Sequence, residues 1–378
     1  MTLAVGLDLV FLGERAGGAG RYARELIPAL LGVEPELRVH VFVSRDAPAD
    51  LFTAPWAGAV RWERLPVRLS GPPVHLAARF GAVPAIAIAR RLDVLHGPAN
   101  VVAVRVPGVA SVVTFLDLIW LHAGEDWGDA RAIASTRRLA LLCARHARRV
   151  LAISHAAARD FSVTLGMDPA RIDVTPLGVR DADLAAPEAE AALRARLDLG
   201  DAPVVLCVAQ KRPYKNHAAL IRALPDLAGS GAILVAPGAP TEHERKLRAL
   251  AADLGVGDRV RLPDWVSEAE LEGLYRLAAC FVLASRIEGF GLPVLEAMRR
   301  GVPVACADRG ALPEVAGDAA LLFDPDDQVA VTAAVRRLLE DRALAADLVE
   351  RGHARVAQYT WEATARATLA GYRRALGT

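Results

Sequence analysis

The sequence predicts an α/β fold of two doubly wound, parallel-sheet domains. Three observations carry that reading. The chain has 378 residues, too many for one ordinary hydrophobic core. Apolar runs of strand length alternate with segments of helical spacing, the order that builds parallel sheets covered by helices. The alternation occurs twice, separated by an Ala-, Asp- and Pro-rich stretch at Val179–Pro203.

The first set opens with a strand at Leu3–Leu7, a helix over Gly20–Leu31 and a strand at Val39–Val43. Strands at Asp93–His96 and Val109–Thr114, a long helix around Ala130–Ala147 and a strand at Val150–Ile153 follow. Thr175–Gly178 closes the set. In the second set the strands are Val204–Val208, Ala232–Ala236, Val260–Leu262, Cys280–Ala284, Val304–Ala305 and Leu321–Phe323. Helices are expected at Ala218–Leu227, Glu268–Leu277 and Pro293–Arg299. Ligands of open α/β sheets bind beyond the carboxyl ends of the strands. With two such domains the expected site is the cleft between them.

Hydrophobic residues make up 53% and charged residues 24%, a packable composition, and the net charge of +1 gives no reason to expect nucleic acid. The N-terminus lacks a basic region, and Asp8 breaks its apolar run, so no signal peptide is expected. Arg79 and Pro84 interrupt the apolar stretch Val74–Leu92, which reads as a packed core helix and not a membrane span; contact with a membrane surface stays open. Cys143, Cys207, Cys280 and Cys306 show no metal or disulfide spacing and read as buried thiols of a reducing cytoplasm.

The stretch Glu288–Ala297, EGFGLPVLEA, carries most of the chemistry. It follows a buried strand. Pro293 suits a first helical turn and Gly301 a helix stop. The amides of Gly289, Phe290, Gly291 and Leu292 then sit at a helix N-terminus, where free N–H groups and the helix dipole favour an anion. Glu288 in the loop and Glu296 in the first helical turn place two carboxylates, with seven residues between them, where both could meet paired hydroxyls. Taken singly, each has a plain structural reading, as a solvated loop acid and a dipole-complementing acid.

The string as a whole resembles the E-x7-E motif of the retaining glycosyltransferases of family 4. Further segments share the resemblance. Val205–Ala223 is similar to the family's strand-loop-helix, with Lys215 as the phosphate-binding lysine. Leu262–Ala278 is similar to its segment ending in LY-x-x-A, whose backbone near Val266 would touch the nucleobase; Trp265 there reads as packing. Asp308–Pro325 matches as scaffold. Gly17–Tyr22, GGAGRY, resembles the glycine-rich loop that lies against the diphosphate, with Gly18 and Gly20. Gly18–Ala23, GAGRYA, formally match a dinucleotide fingerprint, but they do not follow their strand directly, and no acid ends the second strand. Tyr359–Tyr372 resembles the family's C-terminal helix.

Two positions depart from the family. Gln210 stands where an arginine is usual, with Lys211 and Arg212 beside it as replacements for the charge. Leu116 stands where a histidine precedes the acid, here Asp117. Asp117 and His96 are the candidates on the sugar and acceptor side; His96 and Asn100 also have a plain strand-end reading.

The resemblance implies the GT-B architecture: an acceptor-binding domain at residues 1–180, a donor-binding domain at 181–358, and a C-terminal helix at 359–378 crossing back to the first domain. It implies transfer of a sugar from a nucleoside diphosphate sugar to a hydroxyl acceptor (a glycan, a lipid-linked sugar or a natural product) with retention and without a metal or other cofactor. Glu288 and Lys215 would be catalytic. Donor contacts would come from Gly18, Gly20, Gln210, Arg212, Val266, Gly289–Leu292 and Glu296, with Glu296 on the ribose. The wider pattern looks most like transferases using GDP donors of mannose-type sugars. A nucleotide-sugar epimerase of the same architecture and a non-catalytic family member remain alternatives.

Overall fold

In the computed structural model the chain forms two units. The first comprises Met1–Leu121, Asp129–Gly178 and Thr360–Thr378, and the second is built chiefly from Val179–Tyr359. The structure describes all residues except 1, 14–16, 69–76, 125–129, 180–185 and 378.

The first unit holds a parallel sheet of β1 (Ala4–Asp8), β2 (Arg38–Val43), β3 (Arg61–Arg64), β4 (Val94–Gly97), β5 (Ala110–Phe115), β6 (Arg149–Ala152) and β7 (Ile172–Val174). Its order is β3-β2-β1-β4-β5-β6-β7. The second unit repeats the plan with β8 (Val204–Leu206), β9 (Ile233–Val235), β10 (Val260–Arg261), β11 (Ala278–Leu283), β12 (Val304–Ala307) and β13 (Leu321–Phe323). The order is β10-β9-β8-β11-β12-β13, again parallel throughout. Both orders are Rossmann-like, reversing beside the first strand of the set. Central strands such as β1, β4, β5 and β12 are buried along their length, which is why they read as apolar runs without alternation.

The expected C-terminal helix spans Trp361–Leu376 and belongs to the first unit, packed along the helix Gly17–Val33 and against β5 and β6. Thr360 caps it, accepting from the amide of Ala363. A buried polar chain fastens its far end. His96 Nδ1 pairs with Tyr372 Oη at 2.7 Å, His96 Nε2 with Thr114 Oγ1 at 2.8 Å, and Thr114 with Tyr22 Oη at 3.1 Å.

Several expectations need correction. Gly17–Gly20 form the first turn of a helix and not a loop before it. β3 was not anticipated because RWER has no apolar run; as a strand at the sheet edge it buries only Glu63. The expected helix within 74–92 begins outside the described residues. Its described part has a π-helical turn at Ala78–Ala82, then an α-helix at Val83–Ala89. Arg79 in that turn is buried, donating to Asp8 Oδ2 at 2.8 Å and to the carbonyl of Val101 at 3.1 Å. The inter-domain stretch contains a helix, Glu190–Arg196. The helix expected at Ala218–Leu227 is His217–Ala223 followed by a 3-10 segment, Pro225–Ser230. Among the described residues no helix is long and apolar enough to cross a membrane. All four cysteines are free and buried.

Candidate functional site

In the second unit the chain order reverses between β8 and β11, so the loops leaving these strands mark the expected binding position. The loop after β8 ends in one 3-10 turn, Pro213–Lys215. Asn216 follows in the left-handed region, φ 56°, anchored by its side-chain amide to the carbonyl of Pro325 at 2.9 Å. This turn aims Lys215 at the loop after β11. There Lys215 Nζ donates to Glu288 Oε2 at 2.6 Å, and the two side chains are only 14% and 12% exposed. The backbones are tied as well, with Arg286 N donating to the carbonyl of Tyr214 at 2.8 Å.

Two glycines set the position of Glu288. Gly310 has φ 59°, and a Cβ there would lie 2.4 Å from the Glu288 carbonyl oxygen. That closeness lets the Ala311 amide donate to the same oxygen at 3.1 Å. Gly291 has φ 101°, and a Cβ would strike Leu312 at 2.6 Å. Both positions demand a residue without a side chain.

Gly291 leads into the helix Leu292–Arg299. Among the described residues the amides of Phe290, Gly291 and Leu292 have no hydrogen-bond acceptor. These donors at a helix start suit an anionic oxygen. The Phe290 side chain takes no part, being buried edge-on against Tyr359 with centroids 5.8 Å apart. Glu296 is the fifth residue of the helix, beyond the first turn where it was expected, and only 4% exposed. Its Oε2 accepts from Tyr275 Oη at 2.9 Å.

The other donor-side candidates divide. Lys211 cannot replace the missing arginine. It is fully buried, donating to the carbonyls of Gly238 at 2.9 Å and Pro263 at 2.8 Å, with Glu244 at 3.2 Å. It therefore ties the loops after β8, β9 and β10 together. Arg212 stays at the surface of its loop and donates to Gln210 Oε1 at 3.2 Å. Val266 is half-buried, directly before Ser267, which caps the helix Glu268–Leu277. Trp265 is 64% exposed, so the packing role expected for it is wrong.

In the first unit, His96 is not available to a ligand. It has no exposed surface, both ring nitrogens are engaged, and burial pushes its pKa down to about 3. Asp117 is half-buried and accepts from the amide of Ile119 at 3.0 Å, at the start of a short helical turn. The Leu116 amide donates to Asn100 Oδ1 at 2.9 Å, which gives Asn100 a structural task. Gly18 is exposed with open space where a Cβ would be, while Gly20 is buried in the helix.

Sequence reasoning missed Tyr275 as the partner of Glu296. It also missed Ser285, whose hydroxyl is buried just beyond β11 without a hydrogen-bond partner among the described residues. The hints were that Tyr275 is the tyrosine of the LY-x-x-A segment and that Ser285 stands three residues before Glu288. A hollow lined by Pro203, Ser230, Ala279 and Arg342 lies at the amino ends of β8 and β11, the opposite edge of the sheet from Lys215 and Glu288. Among the described residues no group of three or more His, Cys, Asp or Glu is placed to hold a metal ion.

Residues 16–183 match the family model described as Glycosyltransferase Family 4, and residues 190–355 match the one described as Glycosyl transferases group 1. The chain is 35% identical over 251 residues to a D-inositol 3-phosphate glycosyltransferase of Kineococcus radiotolerans, covering 61% of this chain and 58% of that protein. It is 36% identical over 191 residues to a GDP-mannose-dependent alpha-(1-6)-phosphatidylinositol monomannoside mannosyltransferase of Mycolicibacterium smegmatis, covering 47% of this chain and 49% of that protein. The chain thus spans about half the length of these curated relatives. Among solved structures, a sucrose-phosphate synthase of Thermosynechococcus elongatus superposes with a TM-score of 0.78 over 98% of both chains at 23% identity. The chain is a GT-B-fold relative of the family 4 and group 1 glycosyltransferases.

Proposed function

We propose that this chain is a retaining glycosyltransferase that moves a sugar from a nucleoside diphosphate sugar to a hydroxyl acceptor. The observation that carries the reading is the Lys215–Glu288 pair, 2.6 Å apart at the topological switch point, beside the amides that open the helix bearing Glu296. We assign the donor to the second unit and the acceptor to the first.

In the reaction the bond between the anomeric carbon and the diphosphate oxygen breaks, a bond from that carbon to the acceptor oxygen forms, and the acceptor's hydroxyl proton passes to the departing diphosphate. Negative charge grows on the leaving diphosphate. Lys215, once drawn from Glu288 by the bound diphosphate, and the amides of Phe290, Gly291 and Leu292 meet that charge, which lowers the barrier. Arg212 adds a further cation at the rim. Positive charge grows on the sugar, and Glu288 is the carboxylate placed to hold its hydroxyls and offset that charge. Glu296 holds the ribose. Val266 offers backbone to the base. Asp117 is the sugar-side candidate, whereas His96, buried with both ring nitrogens bonded, takes no part.

A GDP-linked mannose-type donor is the first to try, since one of the relatives is named for GDP-mannose. The buried free thiols fit a reducing cytoplasm. The test is thermal stabilisation by ADP, CDP, GDP and UDP, followed by product analysis with the matching sugar donors. A ligand that binds only the folded chain raises its melting temperature. Stabilisation by one nucleoside diphosphate, and a product with the donor's anomeric configuration by NMR, are the expected results. An inverted product would remove the retaining assignment. Conversion of the donor without an acceptor would favour epimerisation, and no response to any of the four would overturn the reading.

A further inference from the structure

The carboxylate of Glu296 does not stand alone. Tyr275 reaches it from the helix Glu268–Leu277, donating its hydroxyl hydrogen to Oε2 at 2.9 Å. Tyr275 has no exposed surface, and its own position is set from two sides. Its ring lies against Phe281 of β11, centroids 6.0 Å apart, and the guanidinium of Arg300 sits 4.7 Å over it. Arg300 is held in turn by Glu272 at 2.6 Å and donates to the Glu296 backbone carbonyl at 2.9 Å. Glu272 is 3% exposed and also pairs with Arg276 at 3.2 Å. A buried ring thus joins two helices at the base of Glu296 and fixes the direction its carboxylate faces.

We propose that Tyr275 is a positioning residue for recognition of the donor's ribose. It does not touch the ligand; it holds Glu296 Oε2 so that the carboxylate presents a fixed orientation to the paired ribose hydroxyls. The inference rests on the assignment of Glu296 to the ribose. A carboxylate on an unbranched side chain rotates about its terminal torsion with little resistance, and that torsion has broad wells. Two hydroxyls are gripped by one carboxylate only when both oxygens are set, so the tyrosine converts a general acceptor into a directional one.

The experiment compares ADP, CDP, GDP and UDP with their 2′,3′-dideoxy counterparts on the full chain, by calorimetric titration. Wild type, Tyr275→Phe and Glu296→Ala are measured, each with its melting temperature. Phenylalanine keeps the ring packing and removes only the hydroxyl. The expected result is a ribose preference of about tenfold or more in wild type, one charge-assisted hydrogen bond or more. Tyr275→Phe should cut the preference severalfold while leaving dideoxy affinity unchanged, and Glu296→Ala should abolish it. Equal weakening of ribo and dideoxy ligands in Tyr275→Phe would mean a merely structural tyrosine, and an unchanged preference would mean no role; either overturns the inference while Glu296 keeps its assignment. A preference that survives Glu296→Ala removes the ribose assignment itself, and the role of Tyr275 with it.

Discussion

Replacing Glu288 by Gln removes one charge from the Lys215 pair and leaves its shape. At 2.6 Å, two unit charges attract by about 2 kcal/mol in water and by about 6 kcal/mol at an effective dielectric of about 20. Desolvation of two mostly buried groups offsets much of that. Glutamine still accepts a hydrogen bond from Lys215, so the ligand-free chain should lose only about 1–3 kcal/mol of stability. A diphosphate faces the opposite balance. To bind wild type it must draw Lys215 from Glu288 and approach a carboxylate. In Glu288→Gln the second cost disappears and the first shrinks from an ion pair to a neutral hydrogen bond. Recovering about 1.4 kcal/mol is a tenfold gain in affinity. Calorimetric titration with the nucleoside diphosphates should therefore show tighter binding, by about tenfold, in a variant whose sugar transfer has fallen by about a hundredfold or more. The bare nucleosides, lacking phosphate, should bind both proteins alike. Weaker diphosphate binding in Glu288→Gln, or an equal gain for nucleosides, would refute the reasoning that the two anions compete for one lysine.

Gly310→Ala should destabilise the chain by at least about 1–2 kcal/mol, the cost of a left-handed L-residue, because its Cβ would also meet the Glu288 carbonyl. The same change should lower transfer activity by displacing Glu288, and wild-type melting with wild-type activity would contradict this placement. A pH dependence follows from His96, whose buried imidazole is held down to about 3 while the unfolded chain titrates near 6.5. As pH falls below about 6.5 the unfolded state takes up the proton first, so stability drops by about 1.4 kcal/mol per pH unit until the folded state also protonates near 3. Between pH 7 and pH 5 the loss from this group should be about 2 kcal/mol. Chemical denaturation followed in the first unit should show a shallower slope in His96→Gln, and parallel slopes would count against a neutral buried histidine.

What could be read in the chain before folding was local. Lys215 and Glu288 each lie in a loop directly after a strand, and strand, turn and helix signals sit within a few residues of them. Two doubly wound parallel sheets followed from the alternation, while the strand order came from the fold. The elements that escaped notice lacked a local signal. β3 is Arg-Trp-Glu-Arg at a sheet edge, and the helix Glu190–Arg196 lies in a stretch whose composition suggested only a linker. The residues before Gly20 read as a loop because they resemble a glycine-rich loop, yet the helix begins at Gly17, in a first turn where few intrahelical bonds are required.

The side-chain pairings needed the folded chain. His96 meets Tyr372 across 276 residues, Arg79 meets Asp8 across 71, and Lys215 meets Glu288 across 73. Lys211 and Lys215 sit four positions apart in one loop, and the sequence offered both as cations for the same phosphate. Folding buried the first among carbonyls and placed the second against a carboxylate. Sequence by itself determined the architecture and the two motif loops, because apolar spacing and turn chemistry act over a few residues. Tertiary structure alone decided which charged groups are occupied and which face the candidate site, because burial and hydrogen-bond partners come from distant segments that meet only when the sheets assemble.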